Sequence, residues 1–157
     1  MDENTQPLPK PARFLGHFDH ILDDRGRVSL PAKFRDRLGT TVIITKRKGR
    51  FLVGYTETEW ERFSARMDGL SVAIDDDLDA LQLLYGDAFE QEIDKQGRIL
   101  IPPDLRQYAG IKGDVVIEGL NSRITIWDKE NWLVRQTVRD ANSPQIIQRL
   151  GERGIIM

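Results

Sequence analysis

Two pairs of short apolar-rich segments, 41–45 with 51–54 and 114–118 with 123–127, each predict a β-hairpin, and polar and apolar residues alternate from Arg123 to Ile126 in the last of them. Ahead of each hairpin lies a shorter apolar strand, 28–30 and 99–101, followed by Pro31 and Pro102. Proline there marks a helix start, where a missing amide hydrogen is harmless. The helices predicted over 32–38 and 103–109 stop at Gly39 and Gly110. Thr56 and Glu59 form a capping box that opens a helix carrying Trp60 and Phe63 on one side, and Asp128 caps its counterpart. Asp75 or Asp76 caps a further helix whose apolar stripe is Leu78, Leu81, Leu84 and Tyr85, ended by Gly86. Ser143 and Pro144 open a last short helix. The first twelve residues hold three prolines and little to bury, so residues 1–13 are expected to be a disordered tail.

The two arrangements are copies. Offset by 71 positions, Phe18 falls on Phe89, Asp23 on Asp94, Gly26 on Gly97 and Arg27 on Arg98, and Pro31, Arg35 and Gly39 fall on Pro102, Arg106 and Gly110. An offset of 73 continues through Arg50 and Arg123 into the alternating run, and an offset of 72 matches Trp60 to Trp132. The expected division is repeat 1 over 17–60, a helical linker over 61–87, repeat 2 over 88–131 and a helical segment over 132–157. A unit of about 45 residues cannot bury a core alone, so the two must pack together. The fold expected is mainly β with short helices, a pseudo-twofold β-barrel built from both repeats.

Composition narrows the chemistry. Among 157 residues there is no cysteine, which removes disulfides, thiolate metal sites and cysteine nucleophiles. His17 and His20 are the only histidines. No apolar run approaches the ~20 residues of a membrane span, and the start has no signal-peptide pattern, so a cytoplasmic chain is expected. The net charge of −2 hides an asymmetry: residues 13–66 carry +5 and the rest −7. Charge acts locally over a Debye length of ~10 Å, so this balance permits a nucleic-acid partner without arguing for one.

The sharpest chemical feature is the repeated pair Asp23/Arg27 and Asp94/Arg98, each around a turn that ends in glycine: Asp23-Asp24-Arg25-Gly26-Arg27 and Asp94-Lys95-Gln96-Gly97-Arg98. One reading is a salt bridge that tightens the turn. The other is a recognition element, since the turn pushes Arg25, Arg27 and Arg98 outwards on a rigid support. A guanidinium can take guanine O6 and N7 bidentately, worth ~1–3 kcal/mol of discrimination. An aspartate accepting from that arginine would fix its fork before DNA arrives.

The run from Leu22 to Arg35, with Asp23, Gly26, Arg27, Val28 and Pro31, resembles the first motif of the MraZ family of bacterial regulators, which carry two SpoVT–AbrB-type repeats. Asp94, Gly97, Arg98 and Pro102 with Leu105 and Arg106 resemble the second, and Trp127, Asp128 and Trp132 are also similar. The likeness spans about residues 14–135. It implies a swapped-hairpin barrel and a ring-shaped homo-oligomer. It also implies a DNA-binding transcription regulator, usually a repressor, acting in the cytoplasm on the nucleoid. The DNA implied is short G-rich direct repeats in the promoter of the division and cell-wall gene cluster. Arg27 and Arg98 would be the principal DNA contacts, oriented by Asp23 and Asp94, with Arg25 and Lys95 on phosphates. No cofactor, small-molecule substrate or membrane partner is implied.

Other signals have simpler explanations. The basic run from Lys46 to Arg50 is read as a solvated hairpin tip, with a phosphate contact as the alternative. Asp75, Asp76, Asp77 and Asp79 lack the glycine and terminal glutamate of a calcium loop and fit a helix start. His17 and His20 have no third ligand nearby. There is no Gly-rich phosphate loop, serine nucleophile elbow or histidine dyad, so an enzyme is not expected. The rival classes are a protein-docking module of the same superfold and an antitoxin-type regulator. Two fused repeats and a helix after Ser143 argue against the antitoxin.

Overall fold

The computed structural model describes residues 13–156. The tail expected over 1–13 lies outside them except for Arg13. In chain order the elements are β1 (His17–Ile21), β2 (Arg27–Ser29), α1 (Ala32–Leu38), β3 (Thr41–Arg47), β4 (Phe51–Tyr55), α2 (Glu57–Ala65) and α3 (Asp75–Leu81). A π-helical turn, Gln82–Gly86, leads into β5 (Phe89–Glu92), β6 (Arg98–Leu100), α4 (Pro103–Ala109), β7 (Asp114–Gly119), β8 (Arg123–Asp128), α5 (Lys129–Ala141) and α6 (Ser143–Glu152).

The repeats exchange strands. One antiparallel sheet runs β1-β7-β8-β4-β3-β5, and a second is the two-stranded ribbon β2-β6. Thus β1 of the first repeat pairs with the hairpin of the second, and β5 of the second pairs with the hairpin of the first. The registers obey a pseudo-twofold axis: Phe18 faces Ile117, and its equivalent Phe89 faces Ile44. At the ribbon, Val28 faces Ile99, its own equivalent, so the axis passes between them. The six-stranded ladder keeps two edges, β1 and β5, and does not close on itself. Each edge strand runs through its glycine turn into the ribbon, and Val28, Leu30, Ile99 and Ile101 of that segment are buried in the main core.

That core holds equivalent residues from both copies: Val28 and Ile99, Leu30 and Ile101, Phe34 and Leu105, Val42 and Val115, Ile44 and Ile117. The other sheet face is covered by α2 around Trp60 and by α5 around Trp132. The offset of 73 holds only through β3 and β7. Ile43 pairs with Tyr55, and Val116 pairs with Trp127, so β4 and β8 are related by 72. The first hairpin loop is one residue longer, and Gly49 and Arg50 within it have positive φ.

Several local expectations are met differently. Pro31 and Pro102 sit at the N-cap rather than the first helical position, with ψ of 135° and 144°. That extended geometry suits proline's fixed φ. Thr56 and Asp128 cap as expected, accepting from the amides of Glu59 and Asn131 at 3.1 Å each. Neither Asp75 nor Asp76 caps α3; Ile74 holds that position, and Asp77 accepts from the Ser71 amide at 3.0 Å. The predicted linker helix breaks at Gln82 into the π-helical turn, and Tyr85 meets Trp60 edge-on with centroids 5.6 Å apart. The basic run is only partly a solvated tip. Lys46 and Arg47 belong to β3, where Lys46 pairs with Asp87 at 3.0 Å and Arg47 packs over Tyr55 and Phe63. His17 and His20 lie on opposite faces of β1, as their odd spacing on a strand requires. His17 packs against Trp132 with ring centroids 4.7 Å apart and planes tilted by 45°. Among the described residues no group of acidic, histidine or cysteine side chains could hold a metal. Nor is any helix among the described residues long and apolar enough to cross a membrane.

Candidate nucleic-acid interface

Both aspartate turns have one construction, repeated contact by contact. Asp23 Oδ1 accepts from the amides of Arg25 and Arg27 at 2.9 and 2.8 Å, and its Oδ2 accepts from Arg27 Nε at 2.8 Å. Asp94 Oδ1 accepts from the amides of Gln96 and Arg98 at 2.9 and 2.8 Å, and its Oδ2 accepts from Arg98 Nε at 2.9 Å. Backbone bonds close each loop, Gly26 to Asp23 and Gly97 to Asp94. Both glycines have φ near +80°, a conformation other residues rarely hold. The amide bonds from Arg27 and Arg98, helped by their guanidinium groups, hold both carboxyls below the usual aspartate range.

Only Nε of each arginine is used in this way. Among the described residues no protein group bonds the terminal guanidinium nitrogens of Arg27 or Arg98, so each fork is oriented at its base and open at its tip.

The ribbon then sets where those forks stand. Strand parity buries Val28 and Ile99 and turns Arg27, Ser29, Arg98 and Leu100 to the opposite, outer face. Arg27 faces Leu100 and Ser29 faces Arg98, so the two arginines are diagonal neighbours about 7–8 Å apart at Cα. Arg25 and Lys95 are exposed at the two turns, at opposite ends of the ribbon. The aspartate–arginine pairs are salt bridges that tighten turns and also supports for outward guanidinium groups; the two readings from sequence are compatible.

Two further arginines belong to the assembly. A side chain at Gly97 would overlap the Arg35 guanidinium, and a Cβ at Gly26 would lie 2.7 Å from Cζ of Arg106. Each turn is therefore roofed by an arginine from the helix of the other repeat. Arg35 Nε donates to the Leu30 carbonyl at 3.0 Å. The recurrence of Arg35 and Arg106 was visible in the repeat, but not the crossing between repeats, which only strand exchange creates.

A family model described as "MraZ protein, putative antitoxin-like" matches this chain twice, over residues 14–81 and 84–150. The chain belongs to the MraZ family. It is 39% identical over 141 residues to a protein of Caldicellulosiruptor bescii named "Transcriptional regulator MraZ", covering 90% of this chain and 99% of that one. Proteins of the same name from Thermomicrobium roseum and Lactiplantibacillus plantarum are 36% and 39% identical, each over 137 residues. Those alignments cover 87% of this chain in both cases, and 96% and 97% of the relatives. The two family matches coincide with the two strand-exchanging halves, each carrying one aspartate turn. The role named for these relatives is regulatory rather than enzymatic.

Proposed function

We propose that this chain is a sequence-specific DNA-binding regulator of transcription. The outer face of its β2–β6 ribbon would enter the major groove, which admits a two-stranded β-ribbon. The observation that carries this reading is the pair of guanidinium groups, Asp-held at Nε and open at the tip, on one outer face. Arg27 and Arg98 read guanine edges, Asp23 and Asp94 pre-orient them, and Arg25 and Lys95 take phosphates. The names of the relatives support a regulatory role. The resemblance adds the rest: short G-rich direct repeats in the chain's own promoter, ahead of division and cell-wall genes, usually with repression, by a cytoplasmic protein on the nucleoid.

The same proposal takes 17–60 and 88–131 as the recognition repeats, joined by 61–87, with 132–157 available for assembly into a ring-shaped homo-oligomer. Exposed Leu133, Val134 and Val138 on α5 support this, lying beside basic Arg135 and Arg139. The acidic start of α3, Asp75 to Asp77, is of complementary charge. Assembly matters because one ribbon makes few contacts, whereas linked ribbons on phased repeats gain effective concentration.

The test is titration of a labelled duplex from upstream of the chain's own gene, against a scrambled duplex, at ~0.15 M salt. Arg27→Ala and Arg98→Ala should each weaken specific binding by about 5- to 150-fold, the range of one bidentate base contact. Their sedimentation should match that of an oligomeric wild type. Equal binding to both duplexes, unchanged in the variants, would instead assign the turns a purely structural role and turn attention to a protein partner. A monomeric wild type at micromolar concentration would remove the ring.

A further inference from the structure

The pseudo-twofold axis makes the arginines of the ribbon equivalent but not the residues between them. Ser29 and Leu100 occupy the same position in the two repeats, and both stand on the outer face. Leu100 is 42% exposed on a three-residue strand whose other apolar residue, Ile99, is fully buried. It contributes nothing to the main core. The register sets it directly opposite Arg27, at the ordinary spacing of a cross-strand pair of about 4.5–5.5 Å. An apolar side chain beside a guanine-reading arginine has one chemical match in the major groove, the 5-methyl group of thymine. A serine hydroxyl, as donor and acceptor, accepts several base edges.

We propose, resting on the DNA-binding reading above, that Leu100 is a specificity-determining residue. It packs on the methyl group of a thymine next to the base pair engaged by Arg27. Ser29 holds the equivalent place beside Arg98 without that selectivity. The reading face thus has a direction: its two halves agree on guanine and differ at the neighbouring base. A protein unit with pseudo-twofold symmetry thereby fits a non-palindromic site in one orientation.

The test replaces each thymine of the bound duplex in turn by deoxyuridine, which deletes only the methyl group. Wild type should lose about fourfold in affinity at one such position, the value of one buried methyl-sized group. Leu100→Ala should bind the thymine duplex about as weakly as wild type binds the deoxyuridine duplex, with no further loss on substitution. Leu100→Met, which keeps an apolar side chain of similar volume, should retain the methyl sensitivity. Circular dichroism melts should match wild type, because Leu100 is outside the core. Specific binding that depends on Arg27 but shows no methyl effect would overturn the role of Leu100 alone. A methyl effect that persists in Leu100→Ala would overturn it too. Absence of specific binding by wild type would overturn both this inference and the reading beneath it.

Discussion

Within each turn the two carboxylate oxygens have separate tasks, Oδ1 fixing the backbone and Oδ2 fixing the guanidinium. This coupling gives the turns a pH dependence whose sign follows from linkage. Asp23 and Asp94 are held below the usual aspartate value, first by the Arg27 and Arg98 amides. The unfolded chain therefore binds more protons than the folded one between the two values, and stability rises with pH across that window. The contribution is complete above the unfolded aspartate value of ~3.9 and is lost as pH falls through the lower, folded value. Melting temperatures of wild type should accordingly fall more steeply below about pH 4 than those of Asp23→Asn/Asp94→Asn. Near neutral pH the double variant should keep its fold and lose specific DNA affinity, because the arginine forks lose their base. Parallel acid limbs for the two proteins would show that the carboxylates do not hold the turns.

Between strands, the repeats differ in bulk at the β4–β8 seam on the pseudo-twofold axis. Gly54 is paired with Ile124, and a Cβ on Gly54 would lie 2.7 Å from Ile124 Cγ1 and 3.2 Å from Val42 Cγ2. The equivalent of Gly54 is Ile126, so one copy supplies the bulk at this seam and the other leaves room for it. Gly54→Ala should lower stability by ~1–3 kcal/mol, the usual cost of overpacking, seen as a lower urea midpoint. Combined with Ile124→Ala, the loss should be smaller than the sum of the two single losses. Strict additivity would argue against the contact.

The seam also shows what the amino-acid order could reveal. Turns, short helices and both hairpins were legible because Gly26, Gly97, Pro31 and Pro102 punctuate them at a fixed offset. The change of offset from 73 to 72 was not, since an alternating apolar run reads equally well at either and only cross-strand register decides. The Asp23/Arg27 and Asp94/Arg98 pairs are local and could be read directly. The roofing of Gly26 by Arg106 and of Gly97 by Arg35 joins residues about eighty and sixty positions apart in the chain. In the sequence those two arginines look like ordinary helix-surface charges. The open ladder at β1 and β5 was hidden too, because repeat symmetry is satisfied equally by an open or a closed sheet.

At the scale of the molecule, a net charge of −2 means that distant charge does not draw this chain to DNA. On the proposed reading the attraction comes from the ribbon face, where Arg25, Arg27, Lys95 and Arg98 lie within the span of two turns and three-residue strands. Contacts with phosphates and contacts with bases then separate experimentally. Each phosphate neutralised contributes about −0.9 to the slope of log affinity against log salt. Arg25→Ala and Lys95→Ala should each make the slope shallower by about that amount while leaving the preference for the specific duplex unchanged. Arg27→Ala should do the reverse, abolishing most of the preference with a smaller effect on the slope. The measurement is affinity for specific and scrambled duplexes from 50 to 200 mM salt, roughly the range over which counterion release is best resolved. If Arg25→Ala instead erased the preference and left the slope intact, the assignment of reading and positioning residues within the turn would have to be exchanged. The salt dependence of one turn against the other also tests the pseudo-symmetry. Lys95 carries the only basic charge between Asp94 and Gly97, as Arg25 does between Asp23 and Gly26, and each would account for one phosphate per repeat. Equal changes in slope would show both turns seated on the duplex together, as a ribbon lying along the groove requires.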